Sequence, residues 1–248
     1  MTSLDLSTVL VLAPLAFLGS FVYGVTGFGA GLVTVPLASH LFDIPFVLAV
    51  FALLDAVNAI RICMSQPRAV VRAEAVRLIP GAIIGVIAGV LLIVVLPARA
   101  LMLAMGIFVL CFGLYSLLNP GAMPVVRQAW AYVAGVCGGI TSAMFGAGGP
   151  PYAIYLSMRP HGKDEMRATL ALTSLVSVFA RLIAFALTGL LSSPLVWITA
   201  LAIVPASLLA LYVAGRVYAV LSRETVLRAI QGLLCVSGVS LVVRALAG

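Results

Sequence analysis

Two ionisable residues lie where a water-soluble protein would rarely put one. Asp55 falls inside FALLDAVNAIRI (51–62) and Arg181 inside TLALTSLVSVFARLIAFALTG (169–189), both apolar runs. A charge in such surroundings needs a partner or a task, because taking it out of water is expensive. Arg181 can act as counter-charge for an anionic cargo, or as half of a structural ion pair whose obvious other half is Asp55. Asp55 is also the carboxylate best placed to carry a coupling proton. Asn58, one turn further on, shares its helix face. Arg61 stands near the end of its run and is expected to snorkel to an interface.

A second kind of chemistry is written in glycine. GVTGFGAGLVTVP (24–36) and GGITSAMFGAGGPP (138–151) each join a glycine run to proline. Glycine admits positive φ and close approach of other groups, and proline suits the first turn of a helix. Together they predict an unwound segment feeding a half-helix whose first N–H groups lack carbonyl partners and attract anions. Gly27, Phe28, Gly29 and Gly31, with the Thr34 hydroxyl, form one candidate substrate-binding set. Thr141, Ser142, Phe145, Gly146, Gly148, Gly149 and Pro150 form the other, with Arg181 between them. Tight helix packing is the structural alternative for the same glycines. Two such breaks in corresponding positions of two halves point instead to a transporter site.

The elements that position these residues follow from composition. Of 248 residues 64% are apolar and 8% charged, and mean hydropathy is +1.26. A soluble domain carries about 25% charged residues, so this is an all-α polytopic membrane protein. The net charge of +7 has no polar surface on which to build a nucleic-acid site. A bilayer core about 30 Å thick takes about 20 helical residues to cross. Apolar segments near 8–26, 46–64, 77–96, 99–118, 129–145, 168–190, 194–215 and 224–243 predict eight long helices. Two short ones, about 32–42 and 150–158, each follow a glycine break. GAIIGVIAGV (81–90) spaces small residues for close helix contact. Trp130 and Tyr132 sit where interfacial belt residues do.

The halves also resemble each other. FGAG recurs at 28–31 and 145–148, and PGAIIGVIAG (80–89) echoes PASLLALYVAG (205–215). LPARALMLAMGIFVLCFG (96–113) echoes LSRETVLRAIQGLLCVSG (221–238). Two repeats, roughly 8–118 and 128–246, divide one integral membrane domain into 1–120 and 121–248. If the short elements cross, the repeats are inverted, and Arg68, Arg72, Arg77, Arg127, Arg159, Lys163, Arg167, Arg216 and Arg223 share the cytoplasmic face. Only Arg99 and Arg244 then lie outside, with both termini. Parallel repeats would split the basic loops between two faces, against the positive-inside rule.

The remaining residues carry less. Cys63, Cys111, Cys137 and Cys235 show no metal or disulfide spacing and are expected to be buried, inert thiols. His40 is expected at an interface without a role, and His161 solvated in its loop. The N-terminal MTSLDLSTVL lacks a basic n-region, so the first apolar stretch is expected to be retained as a span. GxSxG, HExxH and Walker patterns are absent, so no enzyme, cofactor or metal site is expected.

The motifs GxTGFGAGLVTVP (24–36) and GxxTSAMFGAGGPPYAIYL (138–156), with similar ends to both repeats, resemble the TauE/SafE family of sulfite exporters. That family is also called the toluene sulfonate uptake permease superfamily. The resemblance spans nearly the whole chain. It implies a multi-pass protein of the bacterial inner membrane that moves sulfite, organosulfonates or similar small organic anions, commonly outward. The expected function is therefore secondary anion transport by alternating access. The expected partners are the bilayer and a small anion, with proton or ion coupling and a homo-oligomer left open. Two other classes fit the same scaffold: an anion channel, and a membrane-embedded enzyme or assembly factor.

Overall fold

The computed structural model describes residues 6–65, 69–118 and 125–220, together with 238–239, 242–243 and 245–246. Among the described residues the chain is all helical: α1 (Leu6–Thr26), α2 (Ala30–Ala38), α3 (Ile44–Ser65), α4 (Arg72–Val95), α5 (Ala98–Leu118), α6 (Trp130–Phe145), α7 (Gly149–Ser157), α8 (Lys163–Leu187) and α9 (Pro194–Val220). Helices keep every backbone bond inside the segment, as a lipid environment demands. Six of them are long and apolar enough to cross a membrane, while α6 has 16 residues and α2 and α7 have nine each. The eighth long segment foreseen at 224–243 falls mostly outside the described residues.

Apolar side chains cover the outside of the molecule as well as filling its core. Leu91, Val95, Leu187, Leu201 and Tyr212 face outward, whereas Asp55, Asn58, Arg181, Ser177 and Ser207 are buried. Lipid satisfies the outer residues, so the interior can hold the polar ones. One buried network ties three helices: Ser20 of α1 and Ser207 of α9 are 2.7 Å apart, and both bond to Asn58 of α3, at 3.0 and 2.9 Å.

Helix α4 packs on α6, α1 on α9, and α3 on α8. The α4–α6 contact realises the close approach that the small-residue spacing predicts. A side chain at Gly85 would run into the Val136 carbonyl, and one at Gly139 into that of Ala82.

Two helices start earlier than their apolar segments. Helix α8 begins at Lys163, where Glu165 Oε2 accepts the Gly162 N–H at 2.8 Å and Asp164 and Glu165 suit the positive helix start. Helix α4 likewise begins at Arg72 with Glu74 in its first turn. Hydropathy windows exclude such polar first turns. Helix α2 stops at Ala38 because Ser39 Oγ donates to the Pro36 carbonyl and the chain turns at 39–43. Cys63 is half-buried and Cys111 and Cys137 are exposed, contrary to the expectation of buried thiols. An apolar neighbourhood in sequence means lipid as readily as core.

Candidate functional site

Both glycine runs are breaks, and the two breaks touch. Helix α1 ends at Thr26, where Gly27 (φ 83°) and Gly29 (φ 90°) take left-handed backbone. Thr26 Oγ1 pins the turn by donating to the Val22 carbonyl at 2.8 Å and accepting the Phe28 N–H at 3.2 Å. Helix α6 ends the same way: Gly146 (φ 66°) and Ala147 donate to the carbonyls of Ser142 and Thr141 at 3.0 and 3.1 Å. Gly31 lies directly on the Gly146 carbonyl, and the Phe28 ring covers Gly149. The start of α2 is thereby held against the end of α6, and the first break against the start of α7.

Between them is a cavity of about 20 Å³, lined by Tyr23, Phe28, Gly29 and Ala30 from the first break and by Ser142, Gly146, Gly148, Gly149 and Tyr152 from the second. Asp55 of α3 and Ser174, Ser177 and Val178 of α8 complete it. That volume holds about one water.

Arg181 and Asp55 are joined. Arg181 Nη2 donates to Asp55 Oδ2 at 2.7 Å and Nη1 to the Ser142 carbonyl at 2.6 Å, with the two residues 1% and 4% exposed. One guanidinium thus bridges α3 and the end of α6, beside the second break. Its Nε has no hydrogen-bond partner. The pair is formally neutral, so the remaining polar equipment is neutral donors: hydroxyls of Tyr23, Ser142, Tyr152, Ser174 and Ser177, and N–H groups at the two helix starts. Tyr152 and Ser177 bond each other at 3.3 Å, while the buried Tyr23 hydroxyl makes no hydrogen bond of ordinary geometry, Ser174 being its neighbour.

The foreseen residues divide. Phe28, Gly29, Ser142, Gly146, Gly148, Gly149 and Asp55 line the cavity. Gly27 and Gly31 shape the breaks without facing it: Gly27 packs on Arg167, whose Nη2 donates to the Gly24 carbonyl at the end of α1. Thr34 and Thr141 donate to carbonyls of their own helices, Ala30 at 2.9 Å and Cys137 at 3.0 Å, and stand outside the lining. Phe145 stacks on Phe108, centroids 5.4 Å apart. Pro150 and Pro151 have no N–H, so the start of α7 offers an anion fewer donors than the start of α2.

Tyr23, Tyr152, Ser174 and Ser177 were not foreseen. Ser177 and Ser174 precede Arg181 by four and seven residues, the spacing of one helix face, and that signal would have found them. His161, expected in solvent, instead lies 3.3 Å from the buried carboxylate of Glu74. Among the described residues no three His, Cys, Asp or Glu side chains gather as a metal would need.

Comparison with known proteins adds a family. A family model described as Sulfite exporter TauE/SafE matches residues 12–241. The chain is 30% identical over 240 residues to a Cupriavidus necator protein named "Probable sulfite/organosulfonate exporter TauE", covering 92% of this chain and 91% of that protein. No solved structure matches the chain at a significant level.

Proposed function

The chain belongs to the sulfite exporter TauE/SafE family and is a multi-pass membrane transporter, not an enzyme, and from that premise we propose that it carries sulfite or a short organosulfonate across a bacterial inner membrane by alternating access. Export is the favoured direction, since an inside-negative potential drives an anion outward by ~2.3 kcal/mol per charge per 100 mV. The observation that carries this reading is the cavity between the two breaks. It is ringed by hydroxyls and helix starts, and the carboxylate in its wall, Asp55, is already paired with the buried Arg181. Neutral donors hold an oxyanion without the deep trap an unpaired guanidinium would make, which suits a site that must also release.

Inverted repeats make the site alternate. What supports two related repeats is the pairing of helices: α1 rests on α9 as α6 rests on α4, α1 on α2 as α6 on α7, α2 on α3 as α7 on α8, and α3 on α9 as α8 on α4; their inversion rests on the basic loops. Exchanging α1–α4 with α6–α9 maps each of these contacts onto another and α3 against α8 onto itself. In this reading the chain has eight long spans and two short broken ones, with the basic loops cytoplasmic. One repeat rocks on the other and the touching breaks open alternately to each face. Asp55, in the cavity wall, is the proposed coupling carboxylate.

Reconstitution into liposomes with radiolabelled sulfite, short sulfonates and unrelated anions tests the function. Saturable uptake with counterflow is expected. Failure of every anion to move or compete ends the anion reading, and currents at channel rates would replace a carrier with a channel. Tyr23→Phe tests the site: losing a donor to a charged ligand is expected to raise the sulfite KM about tenfold while leaving the maximal rate and the melting temperature near wild type.

A further inference from the structure

Glu74 is the other deeply buried carboxylate among the described residues, and the cavity does not use it. It is 2% exposed in the first turn of α4. Tyr155 Oη donates to its Oε2 at 2.6 Å and Arg159 Nε to its Oε1 at 3.0 Å, with His161 Nε2 3.3 Å from Oε1. Arg77, one turn along α4, comes within 3.8 Å. Arg159 also donates through Nη1 to the Val126 carbonyl at 2.9 Å, reaching the segment before α6. One carboxylate therefore gathers α4, the end of α7 and the approach to α6.

Helix α7 connects this cluster to the transport site. Gly149 and Tyr152 in its first turn line the cavity, while Tyr155 near its end bonds Glu74. Over nine residues the helix is a short rigid lever, roughly 13 Å long. The apolar cluster it shares with Leu78 and Ala82 of α4 sets no register, because apolar contact is non-directional. Charge-assisted hydrogen bonds do; they fix one register.

We propose that Glu74 is a positioning residue for transport, a latch that holds the end of α7 against α4 and so keeps the α6–α7 break shut toward the arginine-bearing end of the molecule. The proposal rests on the reading that the breaks part during transport. Rocking α7 away from α4 must break the Tyr155 and Arg159 bonds together, so the latch sets how often the cavity opens on that side. The three partners beyond α4 lie in the stretch YLSMRPH (155–161), directly after the second glycine motif.

The test uses full-length protein with Cys63, Cys111, Cys137 and Cys235 replaced by alanine and Ser174→Cys as reporter in the cavity wall. A membrane-impermeant maleimide is applied to right-side-out and to inside-out vesicles, and sulfite flux is measured separately on matching proteins that keep Ser174. Glu74→Ala is expected to speed labelling about tenfold or more from one face only, the face bearing the basic loops, and Tyr155→Phe to do so more weakly. Should Glu74→Ala fail to fold, Tyr155→Phe, which keeps the ring, decides. A lower melting temperature with unchanged labelling would mean that Glu74 serves only the fold, and the latch is overturned. Faster labelling from that face, where the matching protein with Ser174 intact moves no sulfite, leaves the latch standing and removes the transport reading instead.

Discussion

Arg181→Ala is expected to abolish transport and to lower stability by about 3–5 kcal/mol, because it leaves the Asp55 carboxylate buried without its partner. The guanidinium holds two elements at once, Asp55 of α3 at 2.7 Å and the Ser142 carbonyl at the end of α6 at 2.6 Å. Removing it therefore also frees the last turn of α6, where the second break begins. Asp55→Ala alone should destabilise comparably, since it strands the arginine. The double substitution Asp55→Ala/Arg181→Ala removes both charges together and is expected to regain much of that loss, because a buried pair is worth far less than the penalty for breaking it. Thermal unfolding in detergent for the four proteins gives the cycle directly. Additive losses in the double variant would mean that the two residues do not act as a pair. A double variant that folds well and still transports would remove both from the transport mechanism, leaving the hydroxyls and helix starts to bind the anion unaided.

The same pair shows which parts of the site could be read in the chain. Asp55 and Arg181 were legible because a charge in an apolar run is costly enough to imply a partner, and the positions of their helices in the two halves suggested which. The breaks were legible for a similar reason: glycine followed by proline leaves few backbone options. Hydroxyls were not. Thr34 and Thr141 stand in the motifs, yet each is satisfied by a carbonyl of its own helix, and nothing local distinguishes them from Ser142, which lines the cavity. Choosing among hydroxyls requires the helix's rotation, which Arg181 fixes for α8 and no charge fixes for α2. Glu74 escaped notice because it sits next to loop arginines and reads as a solvated helix start. Only the arrival of α7 from the other half of the chain buries it.

Gly31→Ala is expected to reduce transport to about a tenth of wild type or less, through a contact between the two halves rather than through local strain. Gly31 is helical, so alanine is acceptable to its own backbone, and in a helix that change would ordinarily stabilise by about 0.5–1 kcal/mol. Here the added methyl would collide with the Gly146 carbonyl, which is backbone and has no rotamer to yield. The start of α2 and the end of α6 must then separate, at a cost of about 1–3 kcal/mol as for other overpacked cores, and the cavity wall between Gly29 and Gly146 is displaced. Two glycines serve as controls for two other causes. Gly29→Ala meets no atom closer than Val22 Cγ1 at 3.9 Å but has φ 90°, so its loss of about 1–2 kcal/mol would come from left-handed backbone alone. Gly215→Ala in α9 has open space around it and should leave both melting temperature and flux at or slightly above wild type. If Gly31→Ala transports like Gly215→Ala, the breaks do not bear on each other at any point of the cycle that limits its rate. If it loses flux while melting no lower than Gly29→Ala, the contact between the breaks matters to movement more than to the resting fold, as alternating access between two touching half-helices requires.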